Sequence, residues 1–310
     1  MKDFEYTAPQ TLREAVKLLT EKGENARVLA GGTDLIVQMR GRRFQPERVV
    51  DVKKIAELNE LTFSPRKGLR IGAAVPCHLI YKDAEVTERF PGIIDTAMII
   101  GGIQIQGRAT LGGNLCNASP SADSIPSLIA YGATAEIQGP EGKRKVLVED
   151  FCTAPGRSVL QPGEILVCIQ IPQNKNNSGA HYLRFIPRNE MDIAVVGVGA
   201  YVELGGRGKK QTFKTVRIAL AAVGPTPIFA RNAGAGLEGQ PVNEESILAA
   251  AEVAKAAASP ISDMRGPAEY RTHLVGVLTK RALIGAVKRA RGQFVPNAVQ
   301  ENGHPVYTLS

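Results

Sequence analysis

Tryptophan is absent from this 310-residue chain, aromatic residues make up only 5% of it, and its four cysteines include no CxxC pair. The lack of such pairs argues against both a local zinc knuckle and a cluster-binding iron–sulfur loop, so Cys77, Cys116, Cys152 and Cys168 read as reduced, mostly packed thiols. His78, His181, His273 and His304 are equally dispersed, and no metal site is expected. No apolar run approaches the roughly 20 residues that span a bilayer. The N-terminus, MKDFEYTAPQTLREAV, lacks the basic, apolar and small-residue zones of a secretory signal, so the expected location is the cytoplasm. The formal charge of +8 collects largely in RGRRF and TKRALIGAVKRARG, where no aromatics interleave to stack on bases. That excess reads as a solvated face or a docking surface for an acidic partner, not as a nucleic-acid site. Two further patterns are missing: G-x-G-x-x-G between strand and helix, which a Rossmann fold demands, and the P-loop lysine motif, the main support for phosphoryl transfer.

A chain of this length exceeds one hydrophobic core and suggests two or three structural units. TLREAVKLLTEKG predicts the first helix, with Thr11 and Glu14 as a capping box, Leu12, Ala15, Val16 and Leu19 as its apolar stripe, and Gly23 as its stop. ARVLA follows as a strand that runs into GGTDLIVQMRG, a sharp turn leading to a short helix. VVDVKKI and GLRIGAAV read as strands, EVTERFPGIIDTAMII as a helical segment, and IQIQ and ATL as short alternating pieces between glycine turns. SIPSLIAYGA reads as a helix starting at or just after Asp123, and TAEIQGPEGKRKVLVEDF as a hairpin. QNKNNSG is the most linker-like run. Beyond it AVVGVGAYVEL and KTVRIALAAVG alternate as antiparallel strands, and two helices follow, one capped by Asn243 and one carrying Pro267 in its first turn and Gly292 at its stop.

Two stretches carry chemistry. In LAGGTDL a strand ends in paired glycines with a helix behind, an arrangement that points consecutive backbone N–H groups at an anion without side-chain obstruction. TLGGN repeats the device and adds hydroxyl and amide donors, and Asp123 nearby could accept from a ribose hydroxyl. Gly-Gly turns are common punctuation, but two together suit a diphosphate.

LAGGTDLIVQMR, QIQGRATLGGNLCNASPSADSIPSLIAYGA, LQPGEILVCIQIP and RFIPRNEMDIAVV together resemble the FAD-binding medium subunit of the xanthine dehydrogenase and carbon monoxide dehydrogenase family of molybdenum hydroxylases. The resemblance implies an α+β chain: an FAD-binding PCMH-type fold of two α/β subdomains (residues 1–56 and 57–173), a C-terminal domain with a three-stranded antiparallel sheet and helices (179–291), and a tail (292–310). It implies that Val28, Leu29, Ala30, Gly31, Gly32, Thr33, Asp34 and Leu35 wrap the FAD diphosphate. Ala109, Thr110, Leu111, Gly112, Gly113, Asn114 and Asn117 would form the second contact, with Asp123 on the sugar or a neighbouring phosphate. Ile100, Leu166 and Arg184 would lie at or near the flavin ring. No residue of this chain would be catalytic in its own right, and no iron–sulfur insertion is expected in it.

The same resemblance implies partners: a large subunit with a molybdopterin-type molybdenum cofactor and a small subunit with [2Fe–2S] clusters, joined as a dimer of heterotrimers. Electrons would pass from the clusters to FAD and on to NAD+, a quinone or another acceptor. The competing readings are a stand-alone FAD-dependent oxidoreductase of the same fold, for which no acid–base constellation is visible, and a non-catalytic nucleotide-binding scaffold.

Overall fold

The computed structural model describes residues 1–188 and 191–296. The first lobe is a parallel three-stranded sheet in the order β1-β3-β2, from β1 (Glu5–Thr7), β2 (Ala26–Leu29) and β3 (Arg48–Asp51). It carries helices α1 (Leu12–Lys22) and α2 (Leu35–Arg40). Thr11 caps α1 by accepting from the Glu14 amide at 3.2 Å, and Gly23 takes the expected positive φ of 50°. The other half of the box differs: the Glu14 carboxylate accepts from the Gln10 amide at 3.3 Å, one residue before the cap. Ala15, Val16 and Leu19 of α1 bury themselves against Val50 and Val52 and also against Ile165 and Val167 of the next lobe, so the two lobes share a core.

The second lobe is a five-stranded antiparallel sheet in the order β4-β5-β10-β6-β7. Its strands are β4 (Leu61–Ser64), β5 (Gly68–Gly72), β6 (Thr134–Gly139), β7 (Gly142–Leu147) and, closing the sheet from far along the chain, β10 (Ile165–Ile171). A small ribbon of β8 (Cys152–Ala154) and β9 (Arg157–Ser158) lies beside it. Between β5 and β6 run α3 (Cys77–Lys82), α4 (Ala84–Arg89), α5 (Pro91–Ala97), α6 (Leu111–Asn117) and α7 (Ser124–Ala130). The single helical segment expected from Glu85 onward is broken at Phe90, because Pro91 has no N–H to continue α4 and instead opens α5. IQIQ forms successive turns rather than an extended piece, and of ATL only Thr110 makes a bridge, to Pro76, before Leu111 enters α6.

In the C-terminal sheet β11 (Ser178–Phe185), β12 (Val196–Gly205) and β13 (Thr212–Ala221) are the three antiparallel strands the resemblance implies, the last two being those read from the sequence pattern. A fourth, β14 (Ile228–Phe229), corrects the count; it pairs with β13 over two residues, too short for any periodicity to show. Helices α8 (Arg231–Ala235), α9 (Glu244–Ala257) and α10 (Ala268–Ala290) follow. Asn243 caps α9 through its Oδ1 on the Ser246 amide at 2.9 Å, while Pro267 stands at the cap of α10, one residue before its first turn. Part of the expected tail, residues 297–310, lies outside the described residues. Among the described residues no helix is long and apolar enough to cross a membrane.

The C-terminal sheet is fastened to the second lobe by buried charge. Arg289 of α10 donates to both oxygens of Asp95 on α5, at 2.6 and 2.9 Å, and the Asp95 side chain is 1% exposed. Glu149 accepts from Arg217 and Arg231, whose guanidinium carbons lie 4.1 and 4.5 Å from the Phe229 ring centre. Gly199 backs directly onto Pro126, where a Cβ would lie 2.7 Å from the carbonyl oxygen.

His181 of β11 is buried in the space that Gly285 of α10 leaves bare; a Cβ at 285 would sit 2.0 Å from its Nδ1. Burial lowers its pKa from 6.5 to about 4, with Arg289 adding to the effect and Asp95 opposing it. The unfolded chain takes up this proton in that window and the folded chain does not, so stability falls as pH drops from 6.5 to about 4. The full loss is about 3 kcal/mol. Urea unfolding across this window is expected to show a flatter pH profile for His181→Leu than for the parent; equal slopes would refute the assignment.

Candidate functional site

Val28 and Leu29 end β2 half-buried, Ala30 and Gly31 leave the strand, and Gly32 turns the chain at φ 77° into α2, where the Ile36 amide closes on the Gly32 carbonyl at 3.1 Å. Thr33 is half-buried and Asp34 exposed. A Cβ at Gly31 would lie 2.1 Å from the Arg108 carbonyl oxygen and 3.1 Å from the Ala109 Cα, so the first glycine segment touches the second main chain to main chain. Two stretches nearly eighty positions apart thus form one surface.

The second stretch is not a glycine turn. Thr110 is the N-cap of α6, its hydroxyl accepting from the Gly113 amide at 2.8 Å, and Leu111, Gly112, Gly113 and Asn114 form the helix's first turn. Of the first-turn N–H groups, that of Gly113 is taken by the cap and that of Asn114 by the Thr110 carbonyl at 3.0 Å, so the anion-binding chemistry expected of a turn falls to the amides of Leu111 and Gly112. The two glycines divide the work. At Gly112 a Cβ would meet the Ala73 oxygen at 2.5 Å, so this glycine lets α6 close on the sheet; at Gly113 it would meet only the cap hydroxyl, at 3.0 Å, and the side is otherwise open.

Asn114 and Asn117 spend their carbonyl oxygens inside the protein. Asn114 Oδ1 accepts from the Ser124 hydroxyl at 2.6 Å and amide at 3.2 Å, tying α6 to the start of α7. Asn117 Oδ1 accepts from Gln38 Nε2 of α2 at 2.9 Å, tying together the helices behind the two cradles. Ser124 and Gln38 escaped sequence reading because such partners leave no local pattern.

Asp123 stands at the N-cap position of α7 but makes no capping bond. Its carboxylate accepts instead from Tyr182 Oη at 2.9 Å and from Arg184 Nη1 at 2.7 Å, both on β11, and the Arg184 side chain is 7% exposed. Burial raises the Asp123 pKa, against the pull of Arg184 and Tyr182. Ile100, 7% exposed, and Leu166, 3% exposed, share one apolar core with Ala109 and Leu111. Gly31 and Arg108–Ala109 thus bring bare main chain of two lobes together, Asp123 adjoins Ser124, which is bonded to Asn114 of α6, and holds Arg184 of the third unit, and Ile100 and Leu166 lie in the core that Ala109 and Leu111 enter. That set suits a dinucleotide with two phosphates and a flat ring, and the open side of Gly113 leaves room for close approach.

Two family models match the chain: "FAD binding domain in molybdopterin dehydrogenase" over residues 2–174 and "CO dehydrogenase flavoprotein C-terminal domain" over residues 181–286. The putative xanthine dehydrogenase FAD-binding subunit of Escherichia coli is 34% identical over 296 residues, 95% of this chain and 100% of the relative. The carbon monoxide dehydrogenase medium chain of Afipia carboxidovorans is 35% identical over 288 residues, 93% and 98% of the two chains. A chain of reconstituted CO dehydrogenase from Oligotropha carboxidovorans superposes with a TM-score of 0.87 at 33% identity, over 94% of this chain and 99% of its own. The protein is a flavin-binding subunit of an oxidoreductase. It belongs to the FAD-binding medium-subunit family of the xanthine dehydrogenase and carbon monoxide dehydrogenase type of molybdenum hydroxylases. Relatives matched along their whole length are a subunit and a medium chain, so a stand-alone flavoenzyme is not favoured.

Proposed function

We propose that this chain holds FAD between its cradles and passes electrons from a [2Fe–2S] partner subunit to NAD+, a quinone or another acceptor. The observation that carries the reading is the main-chain contact of Gly31 with Arg108 and Ala109, which merges two anion-suited segments into one. Gly31, Gly32 and Thr33 on one side and the Thr110–Asn114 segment on the other, there through the amides of Leu111 and Gly112, hold the diphosphate through backbone N–H groups. Asp123 faces the sugar, and Arg184, anchored on Asp123, sets a fixed positive charge beside the ring. Ile100 and Leu166 close the apolar side and keep water from it. When bound, FAD supplies the conversion between one-electron and two-electron transfer. A molybdenum-cofactor subunit carries out the substrate chemistry, and the assembly is a dimer of heterotrimers.

The test uses the assembled complex. Removing FAD with a chaotropic salt is expected to stop electron delivery to the acceptor while substrate still bleaches the iron–sulfur absorbance, and added FAD restores delivery. Undiminished delivery after complete loss of FAD would sink the proposal.

A further inference from the structure

The residues singled out in the sequence at the seam between the second lobe and the C-terminal sheet are Asp123 and Arg184, yet the residue that organises this seam is Tyr182. Alternate residues of β11 line the seam in succession. The Ala180 carbonyl accepts from Arg289 Nη1 at 2.7 Å, and the Tyr182 amide donates to Asp95 Oδ2 at 3.0 Å. The Tyr182 hydroxyl donates to Asp123 Oδ1 at 2.9 Å, and Arg184 Nη1 donates to Asp123 Oδ2 at 2.7 Å. Two buried carboxylate–arginine pairs, Asp95 with Arg289 and Asp123 with Arg184, are thereby joined through one residue. Tyr182 itself is 1% exposed. Its hydroxyl has room because Gly197 of β12 carries no side chain, where a Cβ would come within 2.5 Å of the phenol oxygen.

A buried carboxylate held by a single donor can rotate about its Cβ–Cγ bond; one held on both oxygens cannot. With the phenol on Oδ1, only Oδ2 is left to Arg184, so the guanidinium bonds Asp123 through one nitrogen. Without the phenol, Oδ1 would be a buried acceptor lacking its donor, an expensive state. The Arg184 fork is the cation already in contact, and it can satisfy both oxygens in the side-by-side geometry that arginine and carboxylate favour. That would draw the guanidinium back onto Asp123.

We propose that Tyr182 is a positioning residue for the flavin site: by occupying one oxygen of Asp123 it keeps Arg184 in single contact and directed at the ring, and it links that placement to the Asp95–Arg289 clamp. This inference rests on the reading of Arg184 as the charge beside the flavin. Arg184 then favours the negative charge that reduction adds to the ring, and loss of the phenol weakens that effect.

Redox titration of the FAD in the assembled complex tests both levels. Tyr182→Phe keeps the ring's volume and removes one hydroxyl. It is expected to shift the balance toward oxidised flavin about tenfold, a fall of about 30 mV for a two-electron couple. Arg184→Gln is expected to lower the potential at least as far. A residue with a merely structural role would lower the melting temperature and leave the potential in place. An unmoved potential in Tyr182→Phe beside a lowered one in Arg184→Gln overturns the role of Tyr182 alone. If neither variant moves it, Arg184 does not stand at the ring, and the inference fails together with the reading beneath it.

Discussion

A Gly113→Val variant is expected to fold normally and to be purified with little or no flavin. The new side chain meets only the Thr110 hydroxyl within the protein, at 3.0 Å, and otherwise projects into the open side of the first turn of α6. Valine is no worse a helix residue than glycine, so stability should change by less than about 1 kcal/mol. The isopropyl group occupies the space through which a phosphate would reach the main chain. Losing two charge-assisted backbone hydrogen bonds costs about 3 kcal/mol or more, and affinity for FAD should fall about 100-fold. Gly112→Val separates the two kinds of effect, since its Cβ would press on Ala73 at 2.5 Å and destabilise the fold itself. Flavin absorbance per chain and a thermal melt give both readouts; a Gly113→Val protein with full flavin content would remove α6 from the site.

The largest effect on stability is expected from Arg289→Met. Asp95 is 1% exposed and accepts from both terminal guanidinium nitrogens of Arg289, so the substitution strands a carboxylate that keeps the Tyr182 amide as a donor. Removing one partner of a buried pair costs about 3–5 kcal/mol. Pairing it with Asp95→Asn, which removes the stranded charge, should recover part of the loss. Urea unfolding of the two variants decides the matter: a loss below about 1 kcal/mol for Arg289→Met would mean that water reaches Asp95.

These expectations rest on contacts of different legibility. The caps of α1 and α9 and the turn at Gly32 were readable because a cap or a positive φ is a local demand that a few adjacent residues express. Pro91 is visible in the sequence, and its missing N–H is a local reason for the segment to divide into α4 and α5. TLGGN reads as a turn because adjacent glycines weaken a helix; the packing of Gly112 on Ala73 and the Thr110 cap override that preference. The seam was less legible still. Asp123 and Arg184 could be named from resemblance, whereas Tyr182 touches Asp123 across 59 positions and Gln38 touches Asn117 across 79, and neither pair has a spacing that marks it.

The way the first lobe is attached has a mechanical result. Behind, α1 drives Ala15, Val16 and Leu19 into a core shared with Ile165 and Val167 of β10. In front, Gly31 meets Arg108 without side chains between them, and the Gln38 amide adds a single bond to Asn117. Adhesion is thus lopsided, greasy at the back and thin at the lip. Prising the lip apart would sacrifice a few polar contacts and leave the back undisturbed, so a rigid, bulky guest could be admitted without melting either half.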